Sequence, residues 1–337
     1  MSKTRLVTII VTLGALFRSN TIQAQQKPEM REMDRVRLAE AFRLGEAAQE
    51  QIWPGWSNAP FCVLLVTPDW EFLVRHPSPG EGFLKSGYDN LLMSDVYYRK
   101  RIFPTRLQAT FPAVGGISTI VVGQPEETES KTSTRWVVVL LHEHFHQMQD
   151  SYPGINAEMD SLKLSRGDQS GGWMLNFPFP YKKSELDNRF GELAQKLREA
   201  IEAQGQKDFT AQIKEYIDAL KRVEGELDKD YLKYMSFQNW KEGVARYTEL
   251  RVAQWAEKNY EPSEAFQKLP DYSPFRDDAA AMKARILKEL GELDLAKSER
   301  VSFYPLGAGE AILLDLLKPG WQKRYWAEKF NLEKFLQ

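Results

Sequence analysis

Three of the four histidines of this chain fall within five residues, in Leu141-His142-Glu143-His144-Phe145-His146-Gln147. On a helix turning about 100° per residue, His142 and His146 stand one turn apart on one face, so two imidazoles reach one metal ion. Glu143 projects about 100° round from His142, where its carboxylate reaches a metal-held water rather than the metal. The spacing His-Glu-x-x-His thus offers two ligands and a general base from little more than one helical turn, the chemistry of metal-assisted hydrolysis. His144 lies about 200° from His142, across the helix, and reads as packing rather than as a ligand.

The flanks predict the helix that must position these groups. Ser133 or Thr134 is the expected N-cap, Trp136 to Leu141 is apolar on all sides, and Tyr152-Pro153-Gly154 stops the helix. A helix apolar all round is a buried one, so the histidines enter the interior or the floor of a cleft. Polar rings placed there need ligation or hydrogen bonds. The same residues would also serve a bland role, as hydrogen-bonded core histidines or an adventitious metal patch.

Before that helix the pattern is strand-rich. Glu29 to Ile52 reads as a helix with Leu38, Phe42, Gly45 and Ile52 near one face, ended by Pro54-Gly55. Strands are expected at Phe61–Thr67, Trp70–Arg75, Tyr97–Phe103, Arg106–Phe111 and Ile117–Val122, with a surface loop at His76 to Gly82. After Gly154 helices dominate. Leu186, Phe190, Leu193 and Leu197, and then Phe209, Ile213, Ile217 and Leu220, recur at helical spacing. Further helices are expected at about Phe237 to Lys258, Ala279 to Leu290 and Gly307 to Leu317. Gly171 to Tyr181 is apolar yet full of helix breakers, a loop that must pack against something. The predicted class is α+β: a strand-rich N-terminal half (about 25–154), the His helix, and a helical C-terminal half (about 155–337) in one domain.

A catalytic zinc takes three protein ligands and keeps one position open. The remaining histidine, His76, lies in the Pro-rich loop before the strands, so the third ligand is sought among downstream carboxylates. The stretch Asn239-Trp240-Lys241-Glu242-Gly243-Val244-Ala245-Arg246-Tyr247-Thr248-Glu249 resembles the ligand helix of the gluzincins. These are His-Glu-x-x-His metallopeptidases, thermolysin-like and M1 aminopeptidase-like enzymes among them, whose third ligand is a glutamate on a later helix. The M1-type pattern is close to N-E-G-x-x-x-Y-x-E, and its first glutamate binds zinc. The resemblance implies a zincin-like fold, Zn²⁺ held by His142, His146 and Glu242, and Glu249 in support of the ligands. It covers about 20 residues. Lys241 replaces the usual Asn, and 96 residues separate His146 from Glu242, so the helices between about Ser184 and Glu226 stand as an insertion. The Gly-Ala-Met-Glu-Asn strand of exopeptidases in that group is absent. Several gluzincins also place a Tyr or His after the ligand helix to stabilise an oxyanion, and Tyr304, before the Gly-rich start of a helix, is the candidate here.

Residues 1–24 read as a signal peptide. Lys3 and Arg5 precede an apolar run from Leu6 to Phe17, and Ala24 ends a cleavage site before Gln25. Removing that segment with Lys3, Arg5 and Arg18 takes the formal charge from −2 to −5. A mildly acidic chain without a basic run argues against nucleic acid as a partner. No later segment has transmembrane length, so no stable membrane insertion is expected after cleavage. Cys62 is the only cysteine, sits in a strand-like run and reads as inert core. The expectation is a secreted or periplasmic zinc metallopeptidase acting on a peptide or protein substrate, with Glu143 as general base and Tyr304 at the oxyanion. The alternative is a non-catalytic zinc- or peptide-binding protein on a peptidase-derived scaffold.

Overall fold

The computed structural model describes residues 27–168 and 170–336; the signal segment lies outside them. Helix α1 (Glu32–Ile52) precedes six strands: β1 (Val63–Val66), β2 (Trp70–Val74), β3 (Leu84–Asp89), β4 (Ser94–Lys100), β5 (Gln108–Val114) and β6 (Ile117–Gly123). They form one mixed sheet in the order β3-β4-β2-β1-β6-β5. β1 runs parallel to β6, Val63 beside Ile120, and every other pairing is antiparallel. A central strand is covered on both faces, which is why Val63-Leu64-Leu65-Val66 is an unbroken apolar run, buried throughout. Val63, Leu65, Phe72, Ile120 and Val122 face the helices. Leu64, Val66, Leu73 and Val121 pack on the opposite side under Tyr97, Phe103 and Phe111.

The helical half begins with α2 (Ser133–Ser151), which carries the histidines, and the short α3 (Ile155–Ser161) and α4 (Trp173–Asn176). α5 (Ser184–Glu202) and α6 (Phe209–Glu226) form the hairpin expected as an insertion. α7 (Lys229–Gln238) runs through a π-helical segment, Asn239–Gly243, into α8 (Val244–Asn259). The short α9 (Glu264–Gln267), α10 (Phe275–Gly291), the short α11 (Leu295–Ser298) and α12 (Phe303–Leu317) complete it. One apolar cluster runs from Val36 on α1 through α2 and α8 to Phe335. The α+β class and the order of its halves are as expected. Among the described residues no helix is long and apolar enough to cross a membrane.

Several details differ from the expectations: β5 runs on to Val114, and α12 starts at Phe303, so Tyr304 lies inside that helix rather than before it. Strand β3 was not anticipated, because the register shift between Lys85 and Gly87 breaks the alternation that marks a strand. β4 begins at Ser94 and ends before Phe103. The N-cap of α2 is Thr132, whose side chain accepts from Arg135 N, rather than Ser133 or Thr134; Ser133 Oγ is already spent on Asp271 at 2.6 Å. The helix expected from Phe237 starts at Lys229, upstream of the π segment.

Candidate metal centre

His142 and His146 lie on one face of α2, with Nε2 atoms 3.2 Å apart. Their outer nitrogens are both occupied. His146 Nδ1 lies 2.7 Å from Gln149 Oε1, one turn along the helix. Gln149 Nε2 donates to Tyr325 Oη at 2.7 Å and to Lys241 O at 3.2 Å, so the amide oxygen is the atom facing His146, and Nδ1 carries the proton. His142 Nδ1 lies 2.6 Å from Glu249 Oε1, a charge contact although the ring N–H is not aligned on it. With its proton on Nδ1, His146 turns its Nε2 lone pair toward Nε2 of His142, and one cation could take both ring nitrogens.

Glu242 brings a third candidate donor: its Oε2 is 3.4 Å from His146 Nε2, and ligand atoms of His142, His146 and Glu242 all lie within 4.8 Å of one another. Two ligands about 2.0–2.1 Å from one tetrahedral zinc stand roughly 3.3–3.4 Å apart, so these donors and spacings fit zinc. Burial alone would raise the Glu242 carboxyl, but His146, Arg300 and His142 outweigh it and hold it well below the usual carboxylate range. In turn burial opposes a charge on His146 and Glu242 overcomes it, lifting the ring above its ordinary value. Glu249 lies on the other side of His142, gripped by Arg135 and, at 3.7 Å, by Arg246. Its place is behind the ligand.

The π segment aims Glu242. An i→i+5 turn inserts one residue into an α-helix, and such bulges concentrate at functional sites. Here it is locked against α12 by backbone contact: a Cβ on Gly243 would come 2.4 Å from Gly307 Cα. Glu310, one turn beyond Gly307, accepts from Asn239 Nδ2 at 3.2 Å. Lys241, in place of the expected Asn, pairs with Asp150 of α2 at 3.0 Å. Both ligand helices are therefore tied directly, by Gln149 and by this ion pair.

Glu143 is only 6% exposed, and its Oε2 accepts from Thr110 Oγ1 of β5 at 2.7 Å. β6, the strand nearest the His helix in sequence, lies between β1 and β5, and β5 is the edge strand on this side. Ile120 N donates to O of Cys62, just before β1, and Gly123 N to Leu107 O. The antiparallel alternation then turns the main-chain groups of Gln108 and Thr110 toward the open edge. Pro112 follows in β5 with no N–H to offer.

Tyr304 joins the site. Arg300 Nη1 donates to its hydroxyl at 3.0 Å and lies 3.6 Å from Glu242 Oε1. Burial first, and then the negative Glu242, push the phenol well above its ordinary value, so it stays a neutral donor. His144 is packing, as read: it stacks on Phe61 with centroids 3.9 Å apart, and burial pushes its pKa down to about 3. His76 is no ligand, its Nε2 lying 3.2 Å from Val114 O. Cys62 is buried and free, and burial raises its thiol.

Sequence reasoning missed Thr110, Gln149, Arg135 and Arg300. Gln149 carried a local signal, its i+3 spacing from His146, and Arg135 shares the helix two turns before His142; Thr110 and Arg300 arrive from distant elements. Compared with protein-family models, with curated proteins and with solved structures, the chain gives no match.

Proposed function

We propose that this protein is an exported zinc-dependent hydrolase with a zincin-like site, acting on peptide bonds. The observation that carries the reading is the pair of Nε2 atoms 3.2 Å apart with both Nδ1 atoms engaged and Glu242 closing the third side. His142, His146 and Glu242 would hold the metal. When bound, zinc supplies a Lewis acid that acidifies water and polarises a carbonyl.

The rest is the work of the chain's own groups. Glu143, steadied by Thr110, takes a proton from the attacking water as its oxygen bonds to the carbonyl carbon. Tyr304 donates to the carbonyl oxygen as charge gathers there. Glu143 returns the proton to the amine nitrogen as the C–N bond breaks, leaving a carboxylic acid and an amine. The open edge of β5 beside Thr110 offers main-chain groups to an extended peptide, which supports a peptide substrate. A purely zinc-binding role leaves this carboxylate, hydrogen-bonded beside the ligands, without a task.

The test combines metal analysis with hydrolysis of an unfolded protein such as casein. The protein should hold close to one zinc per chain, lose activity to a chelator and regain it with zinc. Glu143→Gln should keep the zinc and lose hydrolysis. Wild-type turnover by a zinc-loaded Glu143→Gln protein would show that another group is the base. Export is tested by N-terminal sequencing of the native protein, expected to begin at Gln25.

A further inference from the structure

We infer that Arg300 anchors a free substrate carboxylate one residue beyond the cleaved bond, making the protein a C-terminal exopeptidase; this rests on the peptidase reading above. Among the described residues Arg300 is the one guanidinium paired with a candidate ligand, Nη1 lying 3.6 Å from Glu242 Oε1. A cation beside a metal site raises the cost of binding the metal, unless an anion arrives to offset it. The other arginines near the ligands are already neutralised: Arg246 pairs with Glu289 at 3.2 Å and Arg135 with Glu249. Arg300 spends only Nη1, on Tyr304 and Glu242. Among the described residues its Nε and Nη2 make no hydrogen bond, and the side chain is 21% exposed. A guanidinium presents parallel N–H groups suited to a carboxylate, so the open side of this fork is a ready carboxylate seat.

The backbone before it is held under strain for that aim. Glu299 has φ 46° and ψ −127°, a conformation that costs a non-glycine residue about 1–3 kcal/mol and is concentrated at ligand clamps. Distance sets the class of substrate. One carboxylate's width separates Arg300 from the Glu242 oxygen that faces His146. Successive Cα atoms are about 3.8 Å apart, so a carboxylate on Arg300 and a carbonyl at the ligand cluster belong to adjoining residues. Next to Arg300 in the chain, Glu299 lines a surface pocket of about 310 Å³ together with Phe179, Pro180, Tyr181, Lys182 and Lys183. Its aromatic wall suits a large apolar C-terminal side chain.

The test uses a blocked pentapeptide ending in phenylalanine, as the free acid and as the C-terminal amide, titrated calorimetrically into zinc-loaded Glu143→Gln protein. The acid should bind at least tenfold more tightly. Adding Arg300→Gln should bring the two within about twofold at unchanged zinc content, and Arg300→Lys should keep part of the preference. Equal binding of acid and amide, binding of neither, or a preference that survives Arg300→Gln overturns the proposal. So does loss of zinc in Arg300→Gln, which would make Arg300 a positioning residue for Glu242. Cleavage of both peptides at one rate by the wild-type protein keeps the peptidase reading and removes this one. Preferential binding of the acid without any cleavage keeps the carboxylate seat on Arg300 but removes the peptidase reading, and the exopeptidase assignment with it.

Discussion

Gln149 Oε1 meets His146 Nδ1 at 2.7 Å, and the same side chain donates to the main chain of the helix bearing Glu242. The ring's tautomer and the separation of the two ligand helices are thus set by one amide. Gln149→Ala should fold and should weaken zinc binding roughly 10–100-fold, the usual cost of removing an outer hydrogen-bond partner. Competition against a chromogenic chelator measures it. An unchanged affinity would mean that packing alone orients His146.

The two glutamates of the ligand helix should fail differently. Glu242→Gln should abolish stoichiometric zinc while leaving the fold. Glu249→Gln should leave most of the zinc but strip the partner from Arg135 in the interior, at about 3–5 kcal/mol of stability. Metal analysis beside chemical denaturation separates the two, and the reverse ranking would move the ligand to Glu249.

Thr110→Val keeps the shape of β5 and removes the hydroxyl that holds Glu143. Hydrolysis should fall about 10-fold or more in kcat, with zinc content unchanged. If kcat holds and KM rises instead, Thr110 serves the substrate rather than the base.

Glu310 and Glu333 form a buried carboxyl pair behind the π segment, within reach of Glu224, Tyr216, Asn239 and Ser236. Burial pushes Glu333 up to about 7, and burial with the neighbouring Glu333 holds Glu310 well above its ordinary value. Each folded-state pKa lies above its unfolded value, so the folded protein binds more protons and stability falls as pH rises from the ordinary carboxylate range through about 7. Glu333→Gln should therefore raise Tm at pH 8 by several degrees and change it little at pH 5. Equal shifts at both pH values would show that the pair is already neutralised.

Gly307→Ala should lower both stability and zinc affinity together, since its Cβ would come 2.4 Å from Asn239 O. An overpacked contact costs about 1–3 kcal/mol, and a backbone neighbour relaxes less readily than a side chain. Thermal unfolding and chelator competition on one preparation test the linkage.

The histidine-bearing helix was legible in the sequence because all its signals are local: the i, i+4 histidines, the apolar flank and the Pro-Gly stop. Glu242 was reached through a short pattern that the structure places beside His146. What stayed hidden depends on chain crossings. β6 looks like an edge strand until β1 is seen to pair with it in parallel, and that pairing is a property of the whole sheet. Thr110 and Arg300 carry nothing in their neighbours that points to a metal; one comes from the far edge of the sheet and the other from the turn before α12. The π segment was equally silent, because Asn239–Gly243 reads as ordinary helix until Gly307 is set against it.

The Gly243–Gly307 contact also bears on heredity and transplantation. With no side chain between the two backbones, the ligand helix has its seat on α12 and cannot be moved without it. The smallest portable unit is then three helices: α2, the run from Lys229 to Asn259, and α12. A distant relative should be sought by that triad, with Glu-Gly in the second helix and a glycine three residues after a tyrosine in the third, as in Tyr304-Pro305-Leu306-Gly307. The spacing between the helices is free to drift, since the α5–α6 hairpin shows that the chain tolerates a long detour between its ligands.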